Sequence, residues 1–402
     1  MTHCLRTLSI AIGLAAGCAA GGLAQTPTQT QVGSLVPMST LGTPKALTKP
    51  TLSAHGGHLL LSDSPEQFKT PGALPAAMYR DRVTGDFRVF YHHQNVSGQT
   101  LSVGVAVTNT SSQPEILFAR GDGESTNLYP DVAGQSAAAS FISSRRSITF
   151  AALLAPGQSF YKVQSLANGD TASAIVEYLP VTFSGDPGSL SLPIALLQNL
   201  AQAADEGSDS PNLPGGFGLG SATVSTVAFI GDQPADPVAL PVLPADTHIR
   251  GTFPHADRSG TFTVSTAPGL QYLSVDTAPP GKKYSNPMPN EYEPGIDAVD
   301  GGTSVYDDGN YGVMYDFHVF FKNDSGVPNM ALLMQPSGGF GHYLAVTNGQ
   351  LSLSPFVSYT SAWWYGDIPL HNNLTQIDLS TTLPGGASGP QKLLFDPGFT
   401  GQ

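Results

Sequence analysis

Phe87-Arg-Val-Phe-Tyr-His-His-Gln-Asn-Val-Ser-Gly-Gln-Thr-Leu-Ser-Val-Gly-Val-Ala-Val-Thr108 decides how the chain is read. It holds two apolar runs near period two, rich in Val, Phe, Tyr and Thr, joined by Asn95-Val-Ser-Gly98. β-branched and aromatic residues at that alternation suit a pleated sheet with one buried face. The same pattern recurs in Ser147–Leu153, Phe160–Gln164 and Ala172–Leu179, with turn residues at Thr84-Gly-Asp86, Asn109-Thr-Ser-Ser112 and Ala155-Pro-Gly-Gln158. Many short strands with explicit turns between them predict an all-β chain built of antiparallel sandwiches.

The second half repeats this pattern in Thr247–Phe253, Gly260–Thr266, Leu270–Val275, Val313–Phe321, Asn329–Met334 and Lys392–Phe395. Val319-Phe-Phe-Lys-Asn323-Asp-Ser325-Gly326 matches Phe90–Gly98 in form: an aromatic strand, an Asn-x-Ser-Gly turn, then an apolar strand. It reads either as a mark of two related halves or simply as a good turn. One helix is expected, Ile194–Ala204, with Leu196, Leu197 and Leu200 on one face behind Pro193. Residues 232–246 place a proline every few positions and are expected to be an extended linker between sandwiches at 54–231 and 247–402.

Both cysteines, Cys4 and Cys18, lie in a short apolar N-terminal run that follows Arg6. A basic start, an apolar middle and small residues at Gly22 and Ala24 form an export signal over 1–24, cut before Gln25. The mature chain is then free of cysteine, which excludes disulfides, thiol nucleophiles and thiolate metal sites. Leu14-Ala-Ala-Gly-Cys18 offers an alternative, a lipid anchor on Cys18. Residues 25–53, polar and Pro-rich, are expected to be a disordered spacer. The net charge of −13 and the scarcity of Lys and Arg disfavour nucleic acid as a partner. No later segment is apolar for long enough to span a bilayer as a helix.

Val107-Thr-Asn-Thr-Ser-Ser-Gln-Pro114 and Leu154-Ala-Pro-Gly-Gln-Ser159 resemble the strand ends and starts of bacterial immunoglobulin-like envelope modules. Leu60-Leu-Ser-Asp-Ser-Pro65, Met78–Gly85, Val89–Asn95 and Gly309-Asn-Tyr-Gly-Val313 resemble secreted, wall- or surface-layer-associated bacterial envelope proteins. The resemblance implies two immunoglobulin-like domains and a place in the envelope. It carries over no catalytic residue.

Three constellations are candidates for chemistry. Glu291, Glu293, Asp297, Asp300, Asp307 and Asp308, spaced with glycines, offer the hard oxygen ligands that calcium takes, set against a plain solvated loop. His92 and His93 are adjacent in a strand and so point to opposite faces; one of them with His318 would form a copper or zinc site if the halves met. Trp363, Trp364 and Tyr365 are either a sugar- or protein-contact platform or a core plug. The resulting expectation is a secreted envelope protein that assembles with envelope or surface-layer components, or with further copies of itself. The alternatives are a copper-dependent enzyme of the superoxide dismutase kind and a module binding cell-wall polysaccharide.

Overall fold

The computed structural model describes residues 33–145, 147–183 with Ser184, 194–206, 211–283, 285–371 and 374–399. The export signal, the cleavage point at Gln25 and Cys18 lie outside the described residues.

Three short strands come first: β1 (Leu35–Pro37), β2 (Lys45–Ala46) and β3 (Ser53–His55). The first half continues with β4 (His58–Ser62), β5 (Gln67–Phe68), β6 (Ala76–Thr84), β7 (Phe87–Asn95), β8 (Leu101–Asn109) and β9 (Glu115–Asn127). Then follow α1 (Pro130–Ser144), β10 (Thr149–Leu154), β11 (Ser159–Leu166), β12 (Thr171–Phe183), α2 (Ile194–Glu206), β13 (Phe217–Leu219) and β14 (Ser221–Phe229). The second half begins with β15 (Arg250–Phe253), β16 (Asp257–Ser265), β17 (Gln271–Val275), β18 (Gly295–Asp297), β19 (Thr303–Val305), β20 (Met314–Lys322) and β21 (Asn329–Pro336). It ends with β22 (Phe340–Gly341), β23 (Leu344–Thr347), β24 (Gln350–Leu353), β25 (Val357–Ser358), β26 (Ser361–Pro369), β27 (Leu374–Thr381) and β28 (Gln391–Pro397). The chain is all-β, as its alternation predicts. The one correction in kind is a second helix, α1.

The two halves are wired alike. In the first, the sheets run β9-β12-β7-β4 and β11-β8-β14-β6; in the second they run β23-β27-β20-β16 and β26-β21-β28-β17. Corresponding pairs also share direction: β4 with β7 and β16 with β20 are parallel, and the remaining neighbours are antiparallel. Both Asn-x-Ser-Gly turns make the same crossing from one sheet to the other, β7 to β8 and β20 to β21.

Each half also lends a strand to the other. β3, which leads into β4, pairs with β16 of the second half. β15, which leads into β16, pairs with β4 of the first and carries β18 and β19 with it. The boundary expected at 232–246 is therefore crossed in both directions. That segment is itself docked: Ala77 bridges Val242, and Arg80 donates to the carbonyls of Pro237 and Leu240 at 2.8 Å each. Residues 33–53 are likewise no spacer. β1 and β2 extend the sheet of β26 and β17, and Val36, Met38 and Leu41 cover apolar residues on its outer face. Sheet edges with unpaired N–H and C=O groups recruit such strands whatever their composition.

One apolar cluster runs through the seam. It joins Leu59, Leu61, Phe90 and Ile175 of the first half to Ala138, Phe141 and Ile142 of α1 and to the second half's core at Phe317, Leu332 and Trp363. A separate cluster, with Leu60, Val89, Val105 and Val176, fills the first sandwich. The helix α1 starts with Pro130 at its first turn, where a missing N–H costs nothing, and Asp131 follows it. Its small residues let it lie flat on β9. A Cβ on Gly123 would come within 2.0 Å of the Ala137 carbonyl oxygen. From the opposite side, Gln135 donates to the carbonyls of Tyr343 (2.6 Å) and Ser354 (3.0 Å) in the second half.

Charges are buried at the same seam. Arg88, 1% exposed, contacts Glu177 at 2.7 Å and Asp257 at 2.8 Å and also donates to the Ala256 and Gly312 carbonyls. Arg145 reaches Asp257 (3.1 Å) and Asp316 (2.9 Å), and Arg120 reaches Asp86 (2.6 Å). Among the described residues no helix is long and apolar enough to cross a membrane.

Candidate functional site

The strand β7 decides where the two adjacent histidines go. Its Phe87, Val89 and Tyr91 face the first sandwich's core, while Phe90 faces the seam. His93 therefore turns inward, fully buried, with Nδ1 at 2.8 Å from the Pro65 carbonyl and Nε2 at 3.2 Å from Ser62 Oγ. His92 turns to the seam, where it is 6% exposed and its Nδ1 has no hydrogen-bond partner. Burial lowers the pKa of both, to about 3 for His92 and about 4 for His93, so each imidazole is neutral near pH 7. His318 lies on the exposed face of a different sheet and pairs with Asp378 at 2.7 Å. The copper or zinc site expected from His92 or His93 with His318 does not form, because the alternation that separates the first two sends the third to solvent.

The acidic run divides in the same way. Asp297, buried on β18, and Asp300 both answer Arg250, at 3.0 and 3.3 Å. Asp308 pairs with Lys282 at 3.5 Å. Asp307 is 2% exposed, and neither of its carboxylate oxygens accepts a well-formed hydrogen bond, although the Tyr311 N–H lies close enough to temper it. Burial pushes its carboxyl well above the usual range. Among the described residues no three His, Cys, Asp or Glu side chains converge to hold a metal ion, so the calcium expectation for Asp297, Asp300, Asp307 and Asp308 finds no shared centre.

The aromatic run is a core plug. Trp363 is fully buried, its ring 5.0 Å from that of Tyr365, whose hydroxyl is also buried. Trp364 points to the other face, donates to the Gly366 carbonyl and meets the edge of Phe399 under the N-terminal segment. None of the three is presented as a platform for sugar or protein.

The structure instead assembles a cavity of about 330 Å³ at the seam, lined by Asp63, Glu66, Phe90, His92, Pro130, His248, Tyr311 and residues 385–388. Gly385 and Gly386 bring their loop against both halves. A Cβ on Gly385 would lie 2.4 Å from His92 Nδ1, and one on Gly386, at φ +74°, would lie 2.7 Å from the Asp131 amide. Asp63 Oδ1 is buried without a partner. Burial, reinforced by Glu66, Asp307 and Asp246, holds the Asp63 carboxyl well above its usual range. At the rim, His248 sits between Asp246 (3.1 Å) and Glu66 (3.4 Å).

Next to the cavity stands an exposed aromatic pair. The Ser388 N–H donates to the Phe340 carbonyl, and Phe340 and Phe356, 55% and 49% exposed, hold their ring centroids 5.6 Å apart. Tyr359 is exposed nearby, and His342, tied to Asp131 at 2.8 Å, meets Phe356 edge-on. The sequence reading missed both features. The only local signal was Pro384-Gly-Gly386, because the other parts come from positions scattered along the whole chain.

No family model and no curated protein matches the chain. Among solved structures it is similar to a multicopper oxidase from Campylobacter jejuni, a metallo-oxidase, at 8% identity and a TM-score of 0.10, over 74% of this chain and 47% of that one. It is also similar to Lac15 from a marine microbial metagenome, at 10% identity and a TM-score of 0.14, over 89% of this chain and 66% of that one. The chain thus spans about half of the first and two thirds of the second. Likenesses at these scores leave the functional reading to the geometry of the chain itself.

Proposed function

We propose that the chain is a secreted envelope protein that assembles with other envelope proteins, with Phe340 and Phe356 as its contact. The observation that supports this is the pair of aromatic rings standing half in water directly beside an apolar core. Burying apolar surface yields about 25 cal/mol per Å², and exposed aromatic clusters are where protein contacts concentrate their energy. Few charged residues in the chain as a whole suit a partner with an apolar face. Mild extraction of the envelope followed by affinity capture tests this. The wild-type chain should bring down a reproducible protein partner, and the double variant Phe340→Ser with Phe356→Ser should lose it while keeping its far-UV spectrum. Equal recovery by the double variant, or a chain that stays alone, would sink the reading.

Sugar binding is the second reading, because the same two exposed rings can stack on sugar faces. It predicts retention on cell-wall polysaccharide that the double variant loses, with no protein partner recovered. The copper or zinc enzyme has no geometric support, since His92, His93 and His318 occupy three separate environments.

A further inference from the structure

The seam cavity carries an inference independent of the aromatic pair. Its lining holds two carboxylates and two imidazoles and no Lys or Arg. At about 330 Å³ it lies at the small end of the range for ligand pockets, ~300–1,000 Å³. Two polar atoms in it are buried and unpaired, His92 Nδ1 and Asp63 Oδ1. An unmet buried polar atom is costly, so both are poised to gain from a ligand that supplies hydrogen-bond donors. The walls are carbon: Phe90 and Tyr311 stand with ring centroids 5.8 Å apart, and Tyr311 spends its hydroxyl on the Ala387 carbonyl, which leaves its ring as a flat wall. A bare metal ion is a poor occupant, since no three ligating side chains converge among the described residues.

We propose that the seam cavity binds a small protonated amine, its ammonium held by Asp63 and His92 and its carbon skeleton lying against Phe90 and Tyr311. An ammonium offers several donors and a positive charge, which match two unpaired acceptors in a field set by Asp63, Glu66 and nearby Asp246 and Asp307. Aromatic faces add cation–π attraction. Glu66, paired with His248 at the rim, supplies a second carboxylate along the entry path.

Titration calorimetry on the whole chain tests this, with 1,5-diaminopentane and glucosamine as probes and neutral N-acetylglucosamine and calcium chloride as controls. Both amines should bind, and whichever binds tighter tells a free amine from an amino sugar as the source. Asp63→Asn should weaken binding by about tenfold or more, the usual effect of losing a charged hydrogen bond. Glu66→Gln changes a half-exposed rim residue and should weaken it several-fold without affecting folding, so it carries the test if the Asp63 variant does not fold. The Phe340 and Phe356 variant should bind amines normally, which separates this proposal from the envelope-contact reading.

Asp63 is faced by Glu66, Asp246, Asp307, His92, His248 and Tyr311, and in the free protein it holds its proton to higher pH than a free carboxyl. An incoming ammonium displaces that proton. Affinity for 1,5-diaminopentane, whose ammonium groups stay protonated well above neutral pH, should therefore rise with pH until Asp63 ionises in the free protein, and the heat should depend on buffer ionisation enthalpy. The proposal fails if neither amine binds at millimolar concentration, if N-acetylglucosamine binds as tightly, if calcium binds in their place, or if both carboxamide variants bind unchanged.

Discussion

The two halves share one strand order and both bury carboxylates, yet among the described residues only the first buries histidines. The first half encloses His92 and His93, whose imidazoles burial keeps neutral. The second encloses Asp276, Glu291 and Asp307, whose carboxyls burial pushes toward the protonated form. Wiring is thus indifferent to what fills the space beside it. The backbone ladder and the sheet-crossing turns set the architecture, and the seam and loops are free to diverge. The reciprocal loan of β3 and β15 then ties these unlike halves into one unit, because each completes the other's sheet.

The strongest way to break that unity is at the buried charges. Arg88→Ala removes a guanidinium that serves Glu177 and Asp257 at once and leaves Glu177 with Arg120 and Asp257 with Arg145. Breaking a buried pair from one side costs about 3–5 kcal/mol. Both tryptophans lie in the second half, whereas far-UV circular dichroism reports on both halves. In urea, the tryptophan and dichroism midpoints of Arg88→Ala should fall together. A tryptophan midpoint that stays put while dichroism becomes biphasic would mean that the halves fold independently.

The buried histidines and carboxyls together predict an asymmetric pH profile. The lowered histidines contribute stability that is fully present above their unfolded value, near pH 6.5, and is lost as pH falls toward about 3 to 4. The raised carboxyls act in the other direction. Above about pH 4 the unfolded chain ionises them while the folded chain holds the proton, so stability falls as pH rises toward their folded values. Below about pH 6.5 the two trends oppose each other, and above it only the carboxyl trend remains. Stability measured by urea should therefore fall with rising pH above about pH 6.5 for as long as these carboxyls keep their protons in the folded chain, with a slope of up to about 1.4 kcal/mol per pH unit for each such group. Asp307→Asn should flatten the decline. An unchanged profile would show that Asp307 ionises freely in the folded chain.

Period two in Phe87–Asn95 or Leu101–Thr108 names a strand and its buried face, and the Asn, Gly and Pro turns name the ends, so the all-β class and most strands were legible. The partner of a strand was not. Ser53-Ala-His55 contains nothing that selects β16, because a three-residue edge pairs through backbone groups that every sequence carries. The helix α1 hid for a related reason. Its buried positions, Ala133, Gly134, Ala137 and Ala138, are small and make no apolar stripe, although Pro130 with the repeats 133/137/141 and 134/138/142 was a usable signal. The site was least legible. His92 could be assigned to a face, but Asp63 meets it through the parallel β4–β7 ladder and Tyr311 and the 385–388 loop come from the other half, neighbours that no local pattern encodes.

The smallest effect separates the two Asn turns, the one feature the halves share in sequence. Asn95 is fully buried; it donates to the Gln99 and Leu166 carbonyls at 2.7 and 2.9 Å and accepts from the Ser97 N–H. Asn109 repeats this arrangement within the first half, donating to Gln113 and Leu154 and accepting from Ser111. The device is therefore a turn lock used at more than one sheet crossing, and its recurrence within one half weakens it as a mark of two related halves. What marks the halves as alike is the shared strand order. Asn323 is only half-buried; it closes on Val327 through both its amide groups and accepts one long bond, from Thr266 Oγ1 at 3.5 Å. Asn95→Ala leaves the Leu166 carbonyl unmet and should cost about 1–3 kcal/mol, whereas Asn323→Ala should cost about 0.5–1.5. Equal losses in urea would mean that the locks act through the turn alone. A larger loss at Asn95 would place its extra energy in the reach across to the β11–β12 connection, a contact the second half does without.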